Sequence, residues 1–223
     1  CMYGKATKRP WRYKNSKNQA EATKPSRPGE CISVDQLISQ SPGLIAQMRG
    51  RPTHQRYTCA SVYVDQFTDY TFTFLQKTTT AEETIEGKRL FERHMGRMGH
   101  KVTHYHADNG VFASHACRNH CEDNQQQLTF AAVRAHHMNG VTEAKIKQLQ
   151  SLARAMIIHA NQGWPTAINA NLWSYAIRMA TNVMNLTPSA KVQDIQTPRQ
   201  AVKGTNVATN VKRWHLFGYR RRS

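Results

Sequence analysis

The chain has 223 residues, 39% of them hydrophobic, with 31 Lys+Arg against 14 Asp+Glu and a formal net charge of +17. That length holds one full core plus a tail or a small second unit. The charge points to a polyanionic partner, nucleic acid first, and no apolar run approaches the roughly 18–20 residues of a membrane span.

The first 14 residues, CMYGKATKRPWRYK, lack the apolar run of a secretory signal, and a first residue of Cys is expected of a piece of something longer. Residues 1–29 carry eight Lys/Arg against Glu21, and residues 199–223 carry seven and no acid. Both ends read as basic arms beside a more balanced centre. Residues 1–30, with KPSRPGE, read as a basic linker.

CISVDQL (31–37) follows as a short strand, and SPGLIAQMRGRPTHQ reads as loop. RYTCASVYVD (56–65) and DYTFTFLQ (69–76) predict an antiparallel hairpin turned at QFT. The next stretch, TTTAEETIEGKRLFERHMGRMG, predicts a helix: a Thr cap, Glu82 and Glu83 in the first turn, and an apolar stripe of Ile85, Leu90, Phe91 and Met95. A strand KVTHYHA leads into Asp108, a helix covers roughly 114–124, and QLTFAAV is a fifth strand. RAHHMNG is a loop before a long helix over 141–160, with Ile146, Leu149, Leu152, Ala153, Met156 and Ile157 inward. A last helix, ANLWSYAIRMATNVMNLTP, closes the core at about residue 187. The order β-β-β-α-β-α-β-α-α predicts an α/β fold: a mixed five-stranded sheet covered by helices on both faces.

Five cysteines (Cys1, Cys31, Cys59, Cys117 and Cys121) are an odd, uneven set, which argues against a disulfide framework and for a reducing compartment. HACRNHC gathers His115, Cys117, His120 and Cys121, but without paired zinc knuckles; on a helix, Cys117 and Cys121 equally suit one buried face.

In HADNGVF, an Asp ahead of Asn-Gly is ordinarily a turn former. Two further acids change its meaning. Asp35 lies within the first strand, Asp108 ends the fourth, and Glu143 opens the long helix. If the first and fourth strands are neighbours, the three converge, and converging carboxylates repel unless a cation neutralises them. Two Mg²⁺ ions about 3.5–4 Å apart are the usual solution, and hard oxygen ligands suit Mg²⁺ or Mn²⁺ better than zinc.

VDQFTDY, HADNGVF and HHMNGVTEAKIKQL, in that order, resemble the catalytic core of retroviral and retrotransposon integrases, nearest the copia-type long-terminal-repeat elements. The likeness runs from about Cys31 to Pro188, and TPRQAV and HLFGY beyond it also resemble the copia pattern. It implies an RNase H-like fold with an integrase core over 31–188 and an incomplete basic extension over 189–223. It implies a DDE triad of Asp35, Asp108 and Glu143 as catalytic residues and ligands of two Mg²⁺ (or Mn²⁺) ions. The family's first Asp stands in a strand before the VDQF-like hairpin, which selects Asp35 and leaves Asp65 structural. The DNG element turns the chain just after the ligand, so Asp108 would be turn former and ligand together, with Asn109 placed to orient it.

The resemblance extends to partners. DNA is expected near Lys147, one turn beyond Glu143, and near Asn139 and Lys145. CMYGKA resembles the end of the family's zinc module, its last cysteine and the residues after it, making Cys1 a zinc ligand whose three partners lie upstream of this chain. The implied activity is divalent-metal-dependent transfer of a 3′-OH of element DNA to target DNA, by a homo-oligomer without membrane attachment. Its place would be the nucleus or a cytoplasmic virus-like particle, not the secretory route. Two departures stand against full activity: Met138 where the family carries Gln before Asn-Gly, and Ala144 where it carries Arg. A catalytically inactive, DNA-binding relic is therefore the second reading, and a purely electrostatic nucleic-acid binder is a third.

Overall fold

The structure, a computed structural model, describes residues 25–46, 53–130, 140–190, 192 and 196–204. Strands β1 (Ile32–Gly43), β2 (Tyr57–Asp65) and β3 (Thr71–Gln76) pair antiparallel in succession. β4 (His104–Ala107) pairs parallel with β1, and β5 (Gln127–Phe130) parallel with β4, giving the order β3-β2-β1-β4-β5. Parallel neighbours need crossovers. Helix α1 (Ala81–Arg97) carries the chain from β3 to β4, and α2 (His115–Asp123) from β4 to β5. α3 (Gly140–Gly163), α4 (Trp173–Leu186) and α5 (Pro198–Lys203) follow.

Side chains alternate across the strands and feed two cores. Ile32, Val34, Tyr63, Tyr105 and Ala107 pack on one face with Phe91 and Met95 of α1, Phe112, Cys121 of α2 and Val202 of α5. Leu37, Ala60, Val62 and Val64 pack on the other with Leu149 and Ala153 of α3 and with Trp173, Ala176, Ile177 and Ala180 of α4. The expected mixed sheet between helical layers is the fold that forms.

Several boundaries differ from the sequence expectations. β1 continues through Pro42 and Gly43, where turn chemistry predicts a loop. The ladder runs to Ile38↔Cys59, shifts register, and resumes at Gly43↔Tyr57. Trp173 holds this segment from outside. Its indole N–H donates to the Ser41 carbonyl at 2.8 Å, and a Cβ on Gly43 would stand 2.8 Å from its ring. α4, expected as the last helix, begins at Trp173 because Asn169 accepts from Asn171 N–H and starts a separate 3-10 turn, Ala170–Leu172. The expected residues 131–133 of the fifth strand and the loop 134–139 lie outside the described residues.

Packing also runs past the expected end of the core. α5 starts with a reciprocal cap between Thr197 and Gln200 and a Pro at its first turn, and it stops at a left-handed Gly204 (φ 62°). Its Val202 is fully buried. At the other end, Gly29 N–H donates to Asp65 and the Gly29 carbonyl accepts from Thr103 N–H, which pins residues expected to be linker onto the sheet.

The inward face of α1 is more polar than its apolar stripe suggests. Phe91 and Met95 are buried, whereas Ile85 and Leu90 are half-buried, and Thr84, Gly87 and Lys88 take inner positions. Lys88 lies over the Tyr105 ring with its ammonium on Glu92 at 2.8 Å and Gln126 at 2.5 Å. Gly87 lets the helix approach β3, since a Cβ there would come 2.5 Å from Phe74 Cδ1. Gly87→Ala should therefore destabilise by about 1–3 kcal/mol through overpacking, against the usual helical gain from alanine. Gly96→Ala in the same helix meets nothing within 4 Å and should stabilise by up to about 1 kcal/mol. Thermal unfolding of the two variants should move in opposite directions.

Candidate active site

The site begins with strand register. Val34 of β1 pairs with Ala107 of β4 in parallel, so the next residues along, Asp35 and Asp108, leave neighbouring strands side by side on one face. Glu143 stands in the first turn of α3. That helix lies on the same face because its Leu149 packs with Leu37, Val62 and Val64.

The electrostatics of Asp35 register all three acids. Burial is the largest influence and raises its carboxyl; the Gln36 N–H, donating to Oδ1 at 2.7 Å, opposes it; the charges of Asp108 and then Glu143 raise it further, to about 6. The side chains have not closed on a common point. Among the described residues, no three His, Cys, Asp or Glu side chains form a group able to hold a metal ion. Asp108 accepts from Gly110 N–H at 3.1 Å, closing its own turn, and Glu143 leans toward Lys147 at 3.9 Å.

Asp65 is placed differently. It pairs with Ile32, three residues or about 10 Å back along β1 from Asp35. Fully buried, it accepts from Gly29 N–H, Thr68 N–H and the Thr68 hydroxyl. Those bonds fix the β2–β3 turn to the start of β1, a structural task.

The chain is 26% identical over 220 residues to the retrovirus-related Pol polyprotein from transposon RE1 of Arabidopsis thaliana. Solved structures it resembles include a retroviral intasome and two integrase catalytic core domains. The simian T-cell lymphotropic virus intasome in complex with the PP2A regulatory subunit B56 gamma matches at TM-score 0.60 and 17% identity, over 81% of this chain and 56% of that one. The HTLV-2 integrase catalytic core domain in complex with magnesium matches at 0.52 and 18%, over 79% and 97%. The BIV integrase catalytic core domain matches at 0.51 and 17%, over 77% and 92%. The chain is similar to a retrovirus-related Pol polyprotein and has the fold of an integrase catalytic core. The match takes in 98% of this chain but only 13% of the RE1 polyprotein, and no family model matches it.

On this integrase-like core the residues expected near DNA separate. Lys147 is 73% exposed, one turn beyond Glu143 on the same helix face. Lys145 is a correction. It is buried, with its ammonium bonded to Asp69 in the β2–β3 turn, and does not face outward. Helix geometry explains the difference. Residues 143 and 147 are about 40° apart around the axis and 143 and 145 about 200°, so a lysine two positions on must face the other way. Asp69 itself carries no sequence signal of its role beyond the turn-like TDY. Asn139 and Cys1 lie outside the described residues. Cys117 and Cys121 are buried in the core face of α2, and His120 contacts Lys88 and Arg89.

Proposed function

We propose that this chain is the core of a retroelement integrase, in which Asp35, Asp108 and Glu143 hold divalent cations for DNA joining. The observation that carries the reading is the register that sets Asp35 beside Asp108 under the helix bearing Glu143. The donor set fits the cation: all three ligands are hard carboxylate oxygens, and burial with like charge already disfavours ionised Asp35 in the metal-free chain. Two Mg²⁺ or Mn²⁺ ions there would stabilise charge on the attacking and leaving oxygens of an in-line displacement. In that reaction the 3′-OH of element DNA attacks a target phosphodiester. A new P–O bond forms, the old P–O3′ bond breaks, and the 3′-oxygen of the target strand leaves with a proton.

The chain's own residues supply position and charge. Lys147, exposed one turn beyond Glu143, holds a backbone phosphate beside the acids. The basic arms 1–29 and 199–223 grip the remaining DNA. An assembly of several copies is in keeping with the HTLV-2 core, described in trimeric and dimeric forms. Work on genomic DNA would place the protein in the nucleus, after a virus-like particle. A specific observation favours a second reading, an inactive DNA-binding relic: Met138 cannot donate the hydrogen bonds of the glutamine the family carries, and Ala144 lacks the arginine's charge.

Joining of a labelled element-end duplex to plasmid DNA separates these readings. Mg²⁺- or Mn²⁺-dependent product supports an active integrase; none under either metal, with DNA still bound, supports the relic. Both predict salt-sensitive binding. With a net charge of +17 and about 6–10 phosphate contacts, affinity should fall roughly 10³–10⁵-fold between about 50 and 200 mM salt. A log K against log salt slope near zero would rule out the electrostatic account of DNA binding.

A further inference from the structure

The end of α3 that carries Glu143 is seated unusually. In its first two turns the fully buried residues are Thr142 and Lys145, while Val141 and Ile146 pack half-buried against the core and fully buried apolar positions begin at Leu149. Lys145 is 8% exposed and its ammonium bonds Asp69, itself 4% exposed and held in the left-handed region at φ 63°. The same carboxylate oxygen accepts from the Ser189 hydroxyl at 2.9 Å, in the segment after α4. Beside it, Asn185 of α4 clamps the Thr71 backbone, accepting from its N–H at 2.9 Å and donating to its carbonyl at 2.7 Å. One carboxylate thus joins α3, the β2–β3 turn and the segment after α4.

A buried ion pair is a poor way to stabilise a fold, because desolvation offsets much of the attraction. What it supplies is a single geometry. An apolar side chain at position 145 would tolerate a small rotation of α3, whereas an ammonium directed at one carboxylate does not. The magnitude matters for a metal ligand. A 20° slip moves a carboxylate at the helix rim, about 5–6 Å from the axis, by about 2 Å. Metal–ligand distances tolerate about 0.2 Å.

We propose that Asp69 and Lys145 are a positioning pair that fixes the rotation of α3 and so turns Glu143 toward Asp35 and Asp108. The proposal rests on the cation-binding reading of the three acids. Asp69 and Lys145 touch neither DNA nor cation; they act through Glu143.

The test uses the whole 223-residue chain, with Mn²⁺ binding followed by calorimetry and folding by thermal denaturation. Glu143→Gln comes first. If it leaves Mn²⁺ affinity unchanged, the cation reading fails and the positioning role falls with it. If it weakens binding, Lys145→Met and Asp69→Asn should each weaken it by about tenfold, the usual effect of losing a residue that orients a ligand. Lys88→Met breaks the comparably buried Lys88–Glu92 pair of α1; it should lower the melting temperature without changing Mn²⁺ affinity. Charge alone gives a different pattern: losing the Lys145 cation would tighten Mn²⁺ binding, and losing the Asp69 anion would loosen it less than about twofold across a solvated gap. Unchanged or tighter binding in Lys145→Met overturns the proposal. Where that variant fails to fold, Asp69→Asn, which keeps the size and one acceptor oxygen, decides it, and a loss below about twofold overturns it.

Discussion

Glu143→Gln should abolish DNA joining while leaving DNA bound. The substitution keeps size and shape but removes one negative charge from the proposed cation site. Losing an electrostatic contact that develops in the transition state costs about 3–4 kcal/mol, some hundred- to thousandfold in rate. DNA affinity comes instead from Lys and Arg, and one fewer repulsive carboxylate should leave it equal or slightly raised. The partner at 3.9 Å, Lys147, is 73% exposed, and such a surface pair contributes little to the fold. If Glu143 served only as a first-turn acid on the helix dipole, its loss would cost under about 1 kcal/mol of stability and leave the rate near normal. Rates of oligonucleotide joining by the two forms decide this. A Gln variant that keeps more than about a tenth of an active wild-type rate has lost less than about 1.4 kcal/mol, too little for a metal ligand.

Asp35→Asn should also remove joining, yet make the metal-free chain more stable at neutral pH. The Asp35 carboxyl lies up at about 6, chiefly through burial and then through Asp108 and Glu143 against the opposing Gln36 N–H. An unfolded aspartate titrates near about 3.9. A folded value above the unfolded one means that the native chain holds the proton more tightly. The contribution is therefore full below about pH 4 and is lost as pH rises through about 6. At pH 7 the ionised carboxylate costs on the order of 2 kcal/mol, which Asn avoids while still accepting from Gln36. Thermal unfolding in chelator should show Asp35→Asn more stable than wild type at pH 7, the gap closing toward pH 4. Asp65→Ala should do the reverse. It leaves three buried donors without their acceptor and should lose about 2–4 kcal/mol. Stability given up at one acid and gained at the other is what separates a site residue from a structural one.

The sheet is legible in the sequence wherever local pattern and tertiary packing agree. β2 is an unbroken run of small and β-favouring residues, β3 alternates Thr with Phe, and Asp-Asn-Gly announces a turn after a short strand. The choice of Asp35 over Asp65 comes from resemblance; the physical difference lies in register, which no local pattern contains. β1 past Ile38 is not legible, because Ser41-Pro42-Gly43 reads as a turn and is held extended by Trp173, 130 residues and more away along the chain. α5 escapes the pattern for its brevity, although Thr197, Pro198 and Gly204 mark both its ends. Lys145 misleads because a lysine near an acidic site in a basic chain reads as a DNA contact. Its helical phase relative to Glu143 is the available signal, and its buried partner Asp69 is not.

The cation site itself is tested most directly by crystals of the chain grown with Mn²⁺ and measured for anomalous scattering. A peak is expected within bonding distance of carboxylate oxygens of Asp35 and Asp108, with Glu143 sharing in its coordination. A peak at Asp65, or a map with no Mn²⁺ between Asp35 and Asp108 at saturating metal, would contradict it.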